Sequence, residues 1–173
     1  MTEAQTLVVL GTLQDGGSPH MGCMKSCCAF ERPNDYVVSL GVIDESKHLI
    51  FDASPDIVSQ TNYLQSISPA KELEIFLTHA HMGHYVGLIH LGRESANTKK
   101  IPVYAMPRMA KFLRKNGPWS QLISLENISI QPIQNKTPIS VSPRMTVTPL
   151  VVPHRDEFSE TVGYLIAGQS KRA

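Results

Sequence analysis

The chain has 173 residues, 42% of them hydrophobic, and a formal net charge of +1; this suits one domain over 1–173 and excludes a disordered chain. So even a charge balance gives no electrostatic footing for nucleic acid or an anionic membrane surface, and no apolar run approaches the ~20 residues that span a bilayer. The start, Met1-Thr2-Glu3-Ala4-Gln5, lacks the basic opening of a secretory signal, and three closely spaced cysteines without a signal point to a reducing, cytoplasmic compartment.

Thr6–Leu10 reads as a first strand that enters a loop with Gly11, Gly16 and Gly17. Tyr36–Val42 and His48–Phe51 are β-rich runs separated by the turn Asp44-Glu45-Ser46-Lys47, which predicts a hairpin. Pro55 opens a helix with Ser54 as its cap, and Ile57, Tyr63, Leu64 and Ile67 recur at helical spacing. Leu73–Leu77 is the next strand, and a short helix follows from His84 to about Gly92.

Ile101–Ala105 is another strand, and Pro107 starts a helix with Met109, Phe112 and Leu113 on its apolar side, ended by Asn116-Gly117-Pro118. Ile128–Ile133 alternates as a half-buried strand should. Asn135 to Pro143 reads as a surface loop, and Met145–Val152 and Thr161–Ala167 as the last two strands. Strands alternate with helices early and run mostly β later, which predicts an α/β sandwich with helices on its outer face.

The run Leu77-Thr78-His79-Ala80-His81-Met82-Gly83-His84 holds three of the seven histidines within six residues, directly after the apolar strand. In an extended chain His79 and His81 point the same way. A helical turn through Gly83 would bring His84 alongside. Imidazole is the commonest neutral metal ligand and suits zinc or iron. His154, after the run Met145–Val152, reads on its own as a surface residue, although a loop at a strand end could present it as a third ligand. Asp52, at the end of the His48–Phe51 strand, either accepts the free N–H of a ligating histidine and so serves the catalytic site, or is a turn or cap residue.

Cys23, Cys27 and Cys28 form a second constellation, read as a structural metal site or as buried or free thiols. Adjacent cysteines point apart in an extended chain, so all three need not bind. His20 is a possible fourth ligand.

The histidine run, followed by Gly87, resembles the signature of the metallo-β-lactamase superfamily, H-x-H-x-D-H followed by x-x-G, with Gly83 at the aspartate position. Asp52-Ala53-Ser54-Pro55-Asp56-Ile57 and Val152-Pro153-His154 with Thr161-Val162-Gly163-Tyr164 resemble the family's flanking segments. Leu10-Gly11-Thr12, Gly16-Gly17 and the cysteines are similar to the branch of coenzyme pyrroloquinoline-quinone synthesis protein B.

The resemblance implies an αββα sandwich, present here as its N-terminal portion, because the family's bridging aspartate and last histidine have no counterpart after Tyr164. It also implies metal ligation by His79, His81, His84 and His154. One zinc ion is the first expectation, with iron or a second ion as alternatives. Since Gly83 removes a ligand of the second ion, Gly83→Asp is expected to recruit that ion at the His84 side.

The expected activity is hydrolysis of an ester, amide, lactone or phosphodiester in a small-molecule substrate by a metal-bound hydroxide. The alternatives are a metal-dependent oxidation step in quinone-cofactor biosynthesis and a truncated, non-catalytic metal-binding member of the family. An uncovered sheet face would promote self-association.

Overall fold

The computed structural model describes residues 5–28 and 35–168. Six strands form one mixed sheet in chain order: β1 (Thr6–Gly11), β2 (Ser39–Asp44), β3 (Lys47–Phe51), β4 (Glu72–Phe76), β5 (Ile101–Ala105) and β6 (Ile128–Pro132). β1, β2 and β3 pair antiparallel, and β3 through β6 run parallel. A second, antiparallel sheet holds β7 (Ile139–Ser142), β8 (Met145–Val151) and β9 (Val162–Gly168). Parallel neighbours need a crossover, and α1 (Ile57–Ile67) supplies it between β3 and β4.

Leu49, Ile50 and Phe51 on β3, and Ile75 and Phe76 on β4 with Leu77 beyond it, are all buried. Continuous apolar runs of this kind mark strands covered on both faces. On one face Ile75, Leu77, Val103 and Ala105 meet Leu88, Met109, Leu113 and Leu122 from the helices. On the other, Leu49, Phe51 and Phe76 pack on Val141, Met145 and Val147 of the second sheet. The Phe76 ring stacks on Tyr104 at 4.2 Å and meets Tyr164 edge-on at 5.6 Å between centroids. The outcome is an α/β sandwich with helices on the outer face of the larger sheet, as the element pattern predicts. On the outward side of the second sheet Leu150 and Leu165 are exposed. Among the described residues no helix is long and apolar enough to cross a membrane.

Several local expectations need correction. The stretch Asn135 to Pro143 is not all loop: Ile139–Ser142 forms β7, a four-residue strand whose Val141 turns inward. Its Pro-, Asn- and Lys-rich flanks hide so short a period. After α3 (Pro107–Lys115), α4 (Trp119–Ser124) follows Pro118 directly, within a stretch whose composition reads as a helix stop. Its Trp119 packs against Tyr85, 4.8 Å between ring centroids. The cap of α1 is Asp56 rather than Ser54. The Ser54 hydroxyl accepts the Asp56 N–H and donates to Gln60, while Asp56 Oδ2 accepts the Val37 N–H at 2.8 Å. The helix expected from His84 begins two residues earlier, as α2 (Met82–Tyr85), and continues as a tighter 3₁₀ turn over Val86–Leu91.

Candidate metal centre

The site collects at the carboxyl ends of parallel strands β3 and β4, the usual position for ligands in an open α/β sheet. Asp52 leaves β3 with φ 69, a left-handed conformation that aspartate tolerates better than most residues. This turn aims its carboxylate across to β4. Asp52 Oδ1 accepts the Thr78 N–H at 2.7 Å, and Oδ2 accepts the Thr78 hydroxyl at 2.8 Å and His84 Nδ1–H at 2.7 Å.

This network sets the histidine tautomers. The Thr78 hydroxyl gives its proton to Asp52, so at 2.8 Å from His79 Nδ1 it accepts the ring N–H. His79 Nε2 is then a bare lone pair. His81 Nε2–H donates to Glu157 Oε2 at 3.0 Å, which leaves His81 Nδ1 bare. These two bare nitrogens face each other at 2.9 Å, and His154 Nε2 lies 3.3 Å from His81 Nδ1. Lone pairs at such distances repel unless a cation lies between them. A tetrahedral ion bound at ~2.0–2.1 Å sets its nitrogen ligands about 3.3–3.4 Å apart. The His81–His154 separation matches that spacing and the His79–His81 pair is closer, so these two rings would part by a few tenths of an ångström around an ion; the three ligand atoms all lie within 4.8 Å of one another.

His154 rides on the connection between β8 and β9. Val162 N–H donates to Thr78 O, the Tyr164 hydroxyl donates to Leu77 O at 2.7 Å, and Ala80 N–H donates to Ser159 Oγ at 2.8 Å. These bonds pin the far end of the loop to the β4 end, and Val152 N–H on Thr161 O closes the start of the loop onto it, so a residue 75 positions from His79 is delivered there.

His84 stands beside the trio, its ring centroid 4.1 Å from that of His79. Its Nδ1 is committed to Asp52, and its Nε2 faces Asp15 Oδ1 at 3.2 Å. It is not one of the three converging ligands. Of the sequence candidates, then, the structure brings His79, His81 and His154 to one point, and places Asp52 and His84 at its flank. Thr78 and Asp15 are polar partners the sequence reading missed; Glu157, which follows His154 closely enough to reach the site but reads more simply as a solvated loop carboxylate, meets His81. Thr78 directly precedes the first motif histidine, a position from which a hydroxyl reaches both that ring and the preceding strand end. Asp15 had no local signal.

Gly83 also departs from expectation. Its backbone is not left-handed among the described residues; instead, a Cβ there would lie 2.6 Å from Asp15 Cγ. The space of the absent side chain is already filled by a carboxylate, so Gly83→Asp by itself would press two anions together rather than recruit an ion.

Burial, then the positive charges of His84, His81 and His154, push the His79 pKa from 6.5 down to about 4. For His84 burial acts downward, but the hydrogen bond and charge of Asp52, then Asp15, outweigh it and hold the ring above its ordinary value. The His81 hydrogen bond holds Glu157 below the usual carboxylate range. In metal-free protein a proton NMR titration is expected to show His79 with a midpoint near about 4 and His84 with one above 6.5. By linkage, the His79 contribution to stability is present above 6.5 and lost as pH falls through about 4, whereas that of His84 is present below 6.5 and lost as pH rises through its folded value. A His79 midpoint near 6.5 would overturn the assignment of a neutral, metal-ready ring.

The second constellation also assembles. The sulfurs of Cys23, Cys27 and Cys28 lie within 4.8 Å of one another, closer than their spacing required, and none is in a disulfide. The backbone N–H of His20, then the Cys23 thiol, lower the Cys28 pKa, while the hydrogen bond to Cys28 raises that of Cys23. His20 does not complete the group among the described residues; its Nδ1–H donates to Met21 O at 3.2 Å and its ring lies against Gly16.

A family profile described as a beta-lactamase superfamily domain matches residues 47–173. Zinc-bound PqqB from Methylobacterium extorquens superposes with TM-score 0.76 at 23% identity, over 97% of this chain and 63% of that one. A diphosphatase of the PhnP family follows the same path with TM-score 0.70 at 24% identity, over 94% and 61%. The short form of human tRNase Z does so with TM-score 0.59 at 16% identity, over 96% and 64%. The chain thus spans less than two thirds of each of these structures. Among curated proteins none matches it.

Proposed function

Given that the chain belongs to the beta-lactamase superfamily, we propose that it is a metal-dependent hydrolase acting on an ester, amide, lactone or phosphodiester of a small molecule, with zinc as the metal held by His79, His81 and His154. The observation that carries this reading is the convergence of three imidazole nitrogens, two of them left bare by their partners, within 4.8 Å of one another. A divalent ion in such a site supplies a nucleophile at neutral pH by lowering the pKa of coordinated water to near ~7, and polarises the bond under attack.

The chain's own residues prepare that chemistry. Asp52 and Thr78 fix the His79 tautomer from behind, and Glu157 does the same for His81. Depression of the His79 pKa to about 4 removes proton competition for its lone pair at neutral pH. His154 and Glu157 are exposed on the outer loop, so the trio is open to solvent and substrate on that side.

The test is turnover by the zinc-loaded chain on four probes: p-nitrophenyl acetate, bis(p-nitrophenyl) phosphate, homoserine lactone and the β-lactam nitrocefin. Hydrolysis of at least one is expected, abolished by chelator and by His81→Ala. A loaded, folded chain inert on all four would point instead to a metal-binding role without catalysis.

A further inference from the structure

We propose that Asp15, carried by the glycine loop after β1, supplies the carboxylate that the histidine motif lacks at Gly83, and that Asp15 Oδ1 and His84 Nε2 together hold a second divalent ion beside the first. The proposal rests on the reading that His79, His81 and His154 hold that first ion.

Three observations converge on it. A Cβ placed on Gly83 would lie 2.6 Å from Asp15 Cγ and 2.7 Å from its Oδ1. An aspartate's own carboxylate oxygens lie about 2.4 Å from its Cβ by standard bond lengths. The Asp15 carboxylate therefore occupies the neighbourhood that a side chain at position 83 would have reached, although it comes from 68 residues earlier in the chain. Second, Asp15 Oδ1 lies 3.2 Å from His84 Nε2, close to the separation of two ligands on one ion at ~2.0–2.2 Å. Third, Asp52 takes the Nδ1–H of His84 at 2.7 Å. The ring is thereby fixed with Nε2 toward Asp15, the arrangement in which a carboxylate orients a ligating imidazole.

The loop is built to hold this residue. Gly17 N–H closes a turn onto Gln14 O at 2.9 Å, with Asp15 at its tip, and Gly17 has φ 66. Val38 N–H donates to Leu13 O and ties the loop to the chain entering β2. Glycine at 83 is then required by the exchange: the space cannot take a side chain while Asp15 fills it. Asp15 is half-exposed, which leaves the remaining coordination positions of an ion to water. Two protein ligands make this the weaker of the two positions.

The experiment counts ions by elemental analysis after dialysis at graded free zinc, and follows cobalt(II) substitution by visible absorption, in the parent chain and in Asp15→Ala, Gly83→Asp and the double variant. Any ion held by the cysteines is common to all four and cancels in the differences. Asp15→Ala is expected to lose one ion per chain, or to weaken the second binding event at least tenfold, with the first unchanged. Gly83→Asp should gain no ion, and the double variant, in which a Cβ at position 83 still lies 2.8 Å from the Cα of residue 15, should not regain the one that Asp15→Ala loses. Unchanged second-ion stoichiometry and affinity in a folded Asp15→Ala chain would overturn the proposal and make Asp15 an ion-pair partner of His84 only. A parent chain holding a single histidine-bound ion, removed by His79→Ala, would overturn this proposal alone. A parent holding none there would overturn the underlying reading as well.

Discussion

A chain carrying both His79→Ala and His81→Ala is expected to lose the ion held by the His79, His81 and His154 trio at micromolar protein and equimolar zinc. The two rings provide the bare nitrogens that face each other at 2.9 Å. Deleting both leaves His154 as a single exposed ligand of the trio. Loss of partners that merely orient ligands costs ~10–100-fold in affinity, so removal of two direct ligands should exceed 100-fold. The cysteine group is a separate sink for zinc, and the count belongs in a background of Cys23→Ser, Cys27→Ser and Cys28→Ser. Because His79 is buried beside Ala80 and Leu77, the fold is checked by circular dichroism. Full metal content in the folded double variant would show that the trio is a histidine cluster and not a metal centre.

Gly87→Ala is expected to be the most damaging single-methyl change near the site. The 3₁₀ turn after α2 presses its backbone onto the segment after β3: Gly87 N–H donates to Ala53 O at 3.0 Å, and Ala53 N–H donates to His84 O at 2.9 Å. A Cβ at position 87 would lie 2.0 Å from Ser54 O and 2.9 Å from Ala53 O, both backbone atoms that cannot rotate away. Relief requires α2 and the turn to lift from the sheet, which would move His84 from Asp52 as well. Overpacking of this kind costs about 1–3 kcal/mol and occasionally more, a fall in Tm of roughly 2–12 °C for a domain of this size. Differential scanning calorimetry reads it directly, and weakened zinc affinity should accompany it. A Tm within a degree of the parent would mean that the turn yields freely and that Gly87 does not set the height of α2.

The histidine motif was legible because it is local. A strand end fixes which side His79 and His81 share through the two-residue period alone. Gly87, three residues past His84, announces the close approach of the turn. The apolar runs of β3 and β4 were legible for a similar reason, since burial on both faces leaves no polar position to blur them. β7 and α4 were not, because elements of four and six residues are specified by what they pack on rather than by a period of their own.

Composition and pattern by themselves determined the sandwich class, the strand that ends in the motif, and the candidacy of His79, His81 and Asp52, while that of His154 needed the resemblance of its flanking segment to the family's. Only the tertiary structure decided which nitrogen of each ring faces the centre, because tautomer depends on Thr78, Asp52 and Glu157 meeting across separate elements. It also changed the meaning of Gly83. In the sequence that glycine is a missing carboxylate; in the fold its empty space is filled by Asp15, brought back by the turn after β1. Neighbourhood along the chain sets backbone direction, but charge and volume are balanced through space, and a residue 68 positions away can complete what the motif leaves open.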